Sequence, residues 1–467
     1  MEITMADSQK GKIDMTTGHI MKNIILFAIP IIIGNVLQQL YTTVDALVIG
    51  KYCGDTSLAA VGTSSQPVEV LLCVFLGIGT GVSILISQYT GARESGKVVS
   101  VCGTSITLIY IVGIPIGILG WFAAPYILEF MKVPQDVWNA ALIYTRVVFL
   151  GTLGNLGYNM NAGILRGLGD SKASLWFLVV SCVSNIVFDL LFVAGFGMDV
   201  AGAALSTSIA MFISWIVSIV YIRKKFPEIQ FTYLPRRFSG TMMKAILAIG
   251  LPVGLNNSLY SLGHVALQTF NNSQGAIFMA GGAVAGRITG CANIAITGLS
   301  SAATTFSGQN YGAKKYSRIK EGHWRIPLCS GLITLSFGLL FIMIHKPIIR
   351  FFSSDEMVLM YASRHVVVML LSQWFYAIFN CIISIVNGTG KVRYTTIVNI
   401  LMLWAVRIPS AYIISRYFDG TWVMLCFPIS FSFGMFAMIG YYLFSPAWKE
   451  VMRMAGKKQN EGEKNLA

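Results

Sequence analysis

The chain has 467 residues, 55% of them hydrophobic and only 12% charged, where a soluble protein carries about a quarter charged residues. The net charge of +14 does not point to nucleic acid, because the basic residues sit in short loops between apolar runs, the pattern of the positive-inside rule. Composition therefore excludes a soluble globular domain and leaves an all-α integral membrane protein surrounded by lipid bilayer.

Residues 1–21 are polar and mixed in charge, and the apolar run after Lys22 is too long for a cleavable signal. It reads as an uncleaved first span. A bilayer-crossing helix takes about 20 mostly apolar residues. By that measure the spans fall at 23–50, 58–88, 98–128, 137–162, 173–196 and 200–222, then at 242–270, 277–308, 326–344, 358–385, 394–415 and 421–444. The expected organisation is a cytoplasmic N-terminal segment 1–22, an N-lobe 23–222, a cytoplasmic inter-lobe loop 223–241, a C-lobe 242–445 and a mobile cytoplasmic tail 446–467. Most of the 34 Lys and Arg fall in the terminal segments and in alternate loops, and the remaining loops hold only Lys51, Lys132, Lys346, Arg350 and Arg416. That asymmetry puts both termini in the cytoplasm.

The first span, AIPIIIGNVLQQLYTTVDALVIG (28–50), carries Pro30, Asn35, Gln38, Gln39 and Asp45. A lone carboxylate at the bilayer centre costs about 2.5–3.5 kcal/mol, so Asp45 is expected to face a wet cavity as part of a cation or proton site. Gln38 and Tyr41 lie near one another on the same helix and are candidates for a substrate cavity. Of the 20 acidic residues, only Asp45, Glu69 and Asp189 lie well inside a span. Glu69, after Pro67 near the outer end of the second span, is either a cavity residue or a side chain that reaches the interface. Asn161 in the fourth span is a further cavity candidate.

Asp189 sits in SNIVFDLLF with Asn185 four residues earlier, on the same helix face. Thr207, in GAALSTS on the next span, can add a hydroxyl. Two carboxylates, an amide and a hydroxyl are hard oxygen ligands suited to Na⁺, and the same carboxylates could instead share protons. These residue types leave the choice between Na⁺ and H⁺ open.

Past the basic loop from Arg223 to Lys244, read as a hinge, the sequence repeats itself. At an offset of 221 residues, ISQYTGAR (86–93) falls on SGQNYGAK (307–314), and LRGLGDSK (165–172) on VNGTGKVR (386–393). At 222, Pro30 lands on Pro252 and Asn35 on Asn257. Six spans per half is an even number, so the two six-helix bundles share an orientation and are related by a pseudo-two-fold along the membrane normal. The partners of the three intramembrane acids are about Leu267, Gly290 and Ser410, so the second half has none. Gly250 with Gly254, and Gly282, Gly286 and Gly290, have the spacing of small-residue helix packing. His264 and His365 read as packing residues, and Arg287 carries no assignment. The eight cysteines form no C-x-x-C pair and read as small core residues. The Met and aromatic content suits either a promiscuous apolar wall or ordinary membrane helices. No H-E-x-x-H or G-x-S-x-G motif marks an enzyme.

Taken together, AIPIIIGNVLQQLYTTVD, SLAAVG, SQYTGAR, ILRGLGDSK, NIVFD and VAGAALSTS resemble the multidrug and toxic compound extrusion (MATE) family, over about residues 20–445, and its prokaryotic DinF-like branch. The resemblance implies a monomeric cytoplasmic-membrane antiporter without a cofactor. It would export small organic cations or other amphipathic drugs in exchange for Na⁺ or H⁺. It also implies an N-lobe cation site at Asp45, Asn185, Asp189 and Thr207, and a bend of the first helix at Pro30. Some branches carry a glutamate on the seventh helix; here that neighbourhood reads NNSLYSLG, with Tyr260 near the expected place, which puts a C-lobe cation site in doubt. The rival reading is a lipid-linked oligosaccharide flippase on a related scaffold. It calls for a more cationic cavity than spans holding only Arg146, Arg287, Arg364 and Arg407 provide.

Overall fold

With no water to bond them, backbone amides in a bilayer pair within their own segment. Every expected span is accordingly helical in the computed structural model of the chain, which describes residues 12–235, 237–272 and 274–464. Helix α1 (Ile20–Tyr52) runs unbroken through Pro30 and is followed by α2 (Asp55–Gly91) and α3 (Ser95–Phe130). The fourth span differs from the single run expected at 137–162. It is a pair, α4 (Gln135–Leu150) and α5 (Thr152–Leu168), bent by 48° at Gly151. Helix α6 (Ser171–Asp189) continues as a π-helical segment, Leu190–Gly195, and α7 (Asp199–Lys225) closes the first half.

The second half opens with α8 (Gly240–Asn272), α9 (Ala276–Gly312), α10 (Tyr316–Phe352) and α11 (Glu356–Gly388). Its fifth span joins α12 (Val392–Ile400), a second π-helical segment Leu401–Arg407 and α13 (Ile408–Tyr417). The sixth joins a 3₁₀ turn, Gly420–Leu425, to α14 (Cys426–Phe444). With the bent pair taken as one span, the described residues hold up to 12 bilayer-length apolar helices. Their outer faces are apolar as well, with Phe130 at 89% and Met343 at 82% exposed, as lipid-facing helices require. The protein is a multi-pass membrane protein.

The tail corrects its sequence reading. Residues Pro446–Lys464 form a further helix, α15. Trp448 on it is fully buried and stacks on Tyr442 with ring centroids 4.7 Å apart, so this part of the tail is seated by an aromatic anchor. Of the N-terminal segment, residues 1–11 lie outside the described residues, as do 465–467 of the tail. The inter-half loop is fastened to α3: Tyr110 donates to the Tyr233 carbonyl (2.9 Å) and Thr107 to that of Arg237 (3.2 Å).

By packing, the described residues divide into one unit built from residues 12–14 and Ile29–Ser258, and another from Met15–Ala28 and residues 259–464. Within the first unit, α2 and α8 touch backbone to backbone. A Cβ added to Gly77 would lie 2.2 Å from the Gly254 Cα, and one on Gly81 2.8 Å from the Ile246 carbonyl. Gly151 at the bend and Gly154 and Gly157 on α5 form a ridge into which Ser208, Phe212 and Trp215 of α7 settle, each within 2.8 Å of where a Cβ would stand. The repeat also encodes a shared contact. Gly167 would meet the Ser83 carbonyl at 2.8 Å, and in the second unit Gly388 would meet that of Thr304 at 2.5 Å; Ser83 and Thr304 are themselves repeat partners.

Gly250 and Gly254 thus pack as expected. Gly282, Gly286 and Gly290 do not: nothing lies within 4 Å of a Cβ at any of them. These observations predict opposite outcomes for two alanine substitutions. Gly77→Ala should lower the melting temperature of the detergent-solubilised protein, at about 1–3 kcal/mol for an overpacked contact whose neighbours are backbone. Gly286→Ala should stay within about 0.5 kcal/mol of the parent.

Candidate cation site

Polar side chains within these helices usually satisfy themselves. Ser64, Ser87, Ser105, Thr145 and Ser206 each donate to the carbonyl four residues earlier, at 2.7–2.8 Å, a bond that spares a hydroxyl in an apolar helix. A carboxylate has no proton to donate in this way. The acids must therefore find donors elsewhere, and here they do not.

Asp189 is 0% exposed and neither of its carboxylate oxygens has a hydrogen-bond partner. The Asp45 carboxyl, from α1, stands within hydrogen-bonding reach of it, and Asp45 Oδ1 is likewise buried without a partner. Asn185, one turn before Asp189 and also buried, gives its amide nitrogen to Thr207 Oγ1 on α7 (3.3 Å), while its Oδ1 is left unpartnered. Four acceptor oxygens from two helices thus converge, and the one hydroxyl within reach of Asp189, that of Ser206, gives its proton to the Gly202 carbonyl. What completes such a cluster is a proton or a hard cation. Asp189 is the last residue before the π-helical segment Leu190–Gly195, and such wide turns recur where a helix is adapted to a function.

A cavity of about 280 Å³ opens beside the pair, lined by Tyr41, Asp45, Glu69, Tyr144, Asn155 and Thr207 among others. Of the residues picked out in the sequence, Tyr41, Asp45, Glu69 and Thr207 reach this cavity, and Asn185 and Asp189 join them from behind. Two do not. Gln38 is exposed on α1 and does not line the cavity; it shares the stripe of Asp45 but lies two turns, about 10 Å, along the helix from it. Asn161 is fully buried and donates to Ser218 Oγ at 2.8 Å, tying α5 to α7. The amide of α5 that faces the cavity is Asn155. Pro30 is buried in a helix that continues past it.

Tyr144 and Asn155 were missed because they flank the break at Gly151, which turns two stretches of one apparent span onto the same cavity. The glycine spacing in GTLGNLG was the available signal. Among the described residues no group of three or more His, Cys, Asp or Glu is placed to hold a metal ion, and the acceptor set suits an alkali cation or a proton.

A sequence model of the MatE family matches residues 30–191 and 252–413, stretches that begin at the repeat-paired prolines Pro30 and Pro252. The chain is 28% identical to the probable multidrug resistance protein YoeA of Bacillus subtilis (strain 168), over 92% of this chain and 95% of that protein. It is 26% identical to the probable multidrug resistance protein NorM of Thermotoga maritima, over 88% and 90%. Its fold is similar to the crystal structure of MATE in the straight conformation, with a TM-score of 0.83 and 25% identity over 98% of this chain and 100% of that one.

If the carboxylates lack protein donors, making either one neutral removes a cost of the fold. Asp189→Asn and Asp45→Asn should each raise the melting temperature of the purified protein, by an amount corresponding to about 1–2 kcal/mol. A lower melting temperature in both variants would show that the acids are held by the protein itself.

Proposed function

This chain belongs to the MatE family of membrane transporters, and on that footing we propose that it expels organic, often cationic, amphipathic compounds across the cytoplasmic membrane in exchange for Na⁺ or H⁺. The observation that carries this reading is the convergence of unpartnered acceptor oxygens from Asp45, Asn185 and Asp189 at the wall of a cavity large enough for part of an organic molecule. The relatives named as multidrug resistance proteins support the substrate class.

The proposed mechanism follows from charge. With both carboxylates ionised, the site is two like charges in a poorly solvated place, costly unless a cation or proton enters. In the outward-open state Na⁺ or H⁺ neutralises the pair from outside, with Asp45, Asp189, Asn185 and Thr207 as ligands or proton holders. Neutralisation favours a different packing of α1 around Pro30 and of α6 around its π-helical segment. The cavity beside Tyr41, Glu69, Tyr144 and Asn155 then releases its organic cation, which the ionised pair had favoured. The neutral form returns inward, loses its ion to the cytoplasm and takes up cargo again. Exchange requires only that ion and cargo prefer different states or compete for the same charge.

Lobes 23–222 and 242–445 moving about this site, both termini in the cytoplasm, a monomeric state and DinF-like branch membership complete the proposal. A cavity that presents carboxylates suits cationic cargo better than the polyanion of a flippase.

Proteoliposomes loaded with a fluorescent organic cation test the coupling. The reconstituted protein should drive uptake against a gradient when either a Na⁺ or a pH gradient is imposed, and the effective gradient identifies the ion. Asp45→Asn should fall to the level of empty vesicles, and Thr207→Ala to an intermediate rate. Normal uphill transport by Asp45→Asn would refute the mechanism.

A further inference from the structure

The second half has no intramembrane acid, but it does bury a charge. Arg407, the last residue of the π-helical segment Leu401–Arg407, is 0% exposed. Its Nε donates to Ser430 Oγ at 2.9 Å and Nη1 to the Tyr260 hydroxyl at 3.2 Å. Nη2 is buried with no acceptor. The rings of Tyr260, Phe427 and Phe431 stand 5.4, 5.0 and 4.9 Å from the guanidinium carbon, and among the described residues no carboxylate pairs with it. A guanidinium does not shed its proton. Ring faces offset only part of the cost of burying its charge.

The placement matches the first-half site. In the register that pairs Asp189 with about Ser410, Arg407 falls on Ile186, next to Asn185, and Ser430 on Ile209, two residues after Thr207. The Arg407–Ser430 bond thus ties the fifth span to the sixth as the Asn185–Thr207 bond does, and Tyr260 is supplied by the leading helix, as Asp45 is. One half gathers acceptors without donors; the other holds a donor without an acceptor.

We propose that the second half binds a small monovalent anion, a halide or the carboxylate group of a transported compound, between Arg407 Nη2 and the Tyr260 hydroxyl. The Tyr260 hydroxyl oxygen accepts from Arg407 and is in hydrogen-bonding contact with the buried Tyr376 hydroxyl; on anion binding the Tyr260 proton turns to the anion. On the α8 side of the site the Tyr260 ring lies 4.8 Å from that of His264. The analogy with the first half rests on the cation reading given above, but the test leaves that half untouched, so either can fail alone.

The purified full chain in detergent, at fixed pH and ionic strength, is melted in bulky gluconate and then with chloride or formate replacing it. Chloride or formate should raise the melting temperature by roughly 2–4 °C in a saturable way. Formate matching chloride identifies a carboxylate site, and chloride alone a halide site. Arg407→Gln should abolish the response, and Tyr260→Phe should move it to higher anion concentration. Equal melting in all three anions, or an unchanged response in Arg407→Gln, overturns the proposal. Should Arg407→Gln fail to fold, an unchanged titration in Tyr260→Phe overturns it instead.

Discussion

Acceptor oxygens that meet no donor are the constraint on which the first half depends. Hydroxyls throughout these helices close on their own backbone, so the helices tolerate many serines and threonines at little cost. Asp45 and Asp189 have no such recourse. Placed beside one another with the Asn185 oxygen near them, they make a spot where a positive charge offsets the cost of burying carboxylates. The surrounding structure serves that spot. The π-helical segment after Asp189, the break at Gly151 and the glycine ridge on α5 each adjust a helix so that side chains from α1, α4, α5, α6 and α7 converge.

Much of this could be read from the residues because the membrane makes some substitutions expensive. An acid in an apolar run, or a proline and an asparagine recurring at one offset, stands out against a background that admits few alternatives. Asp45 and Asp189 were picked out that way, Asn185 by its place one turn before Asp189 and Thr207 by its hydroxyl on the next span; the structure joins Asn185 to Thr207 and sets Asp45 beside Asp189. What the residues concealed was direction. Asn155 and Asn161 lie on the same short helix, yet Asn155 faces the cavity and Asn161 holds Ser218. Six residues apart, they point about 120° away from one another, and the face that α5 turns to the cavity is set by a 48° bend that the run of small residues in GTLGNLG permits without announcing. The π-helical segments have the same composition as the helices they interrupt. The tail reads as polar and loose because its fixed position rests on one tryptophan finding a seat beside Tyr442.

The internal repeat preserves backbone geometry more faithfully than chemistry. Gly167 and Gly388 approach the carbonyls of repeat-paired residues at similar distances, and each half carries a π-helical segment in its fifth span. The charges buried at those segments are opposite in sign, a carboxylate in one half and a guanidinium in the other. A duplicated scaffold can diverge in this way because close backbone contacts fix the frame, while the few side chains at its irregular turns are free to change.

The packing boundary has a consequence for how such a chain can be cut. The duplicated sequence halves meet in the basic loop after α7, but the packing units divide inside α1, between Ala28 and Ile29, and inside α8, between Ser258 and Leu259. Two gene fragments severed at that loop would each encode a polypeptide missing part of its own fold and carrying part of the other's. Complementation between such fragments therefore has to exchange a helix end each way, which makes this duplicated protein a poor candidate for independent half-molecules.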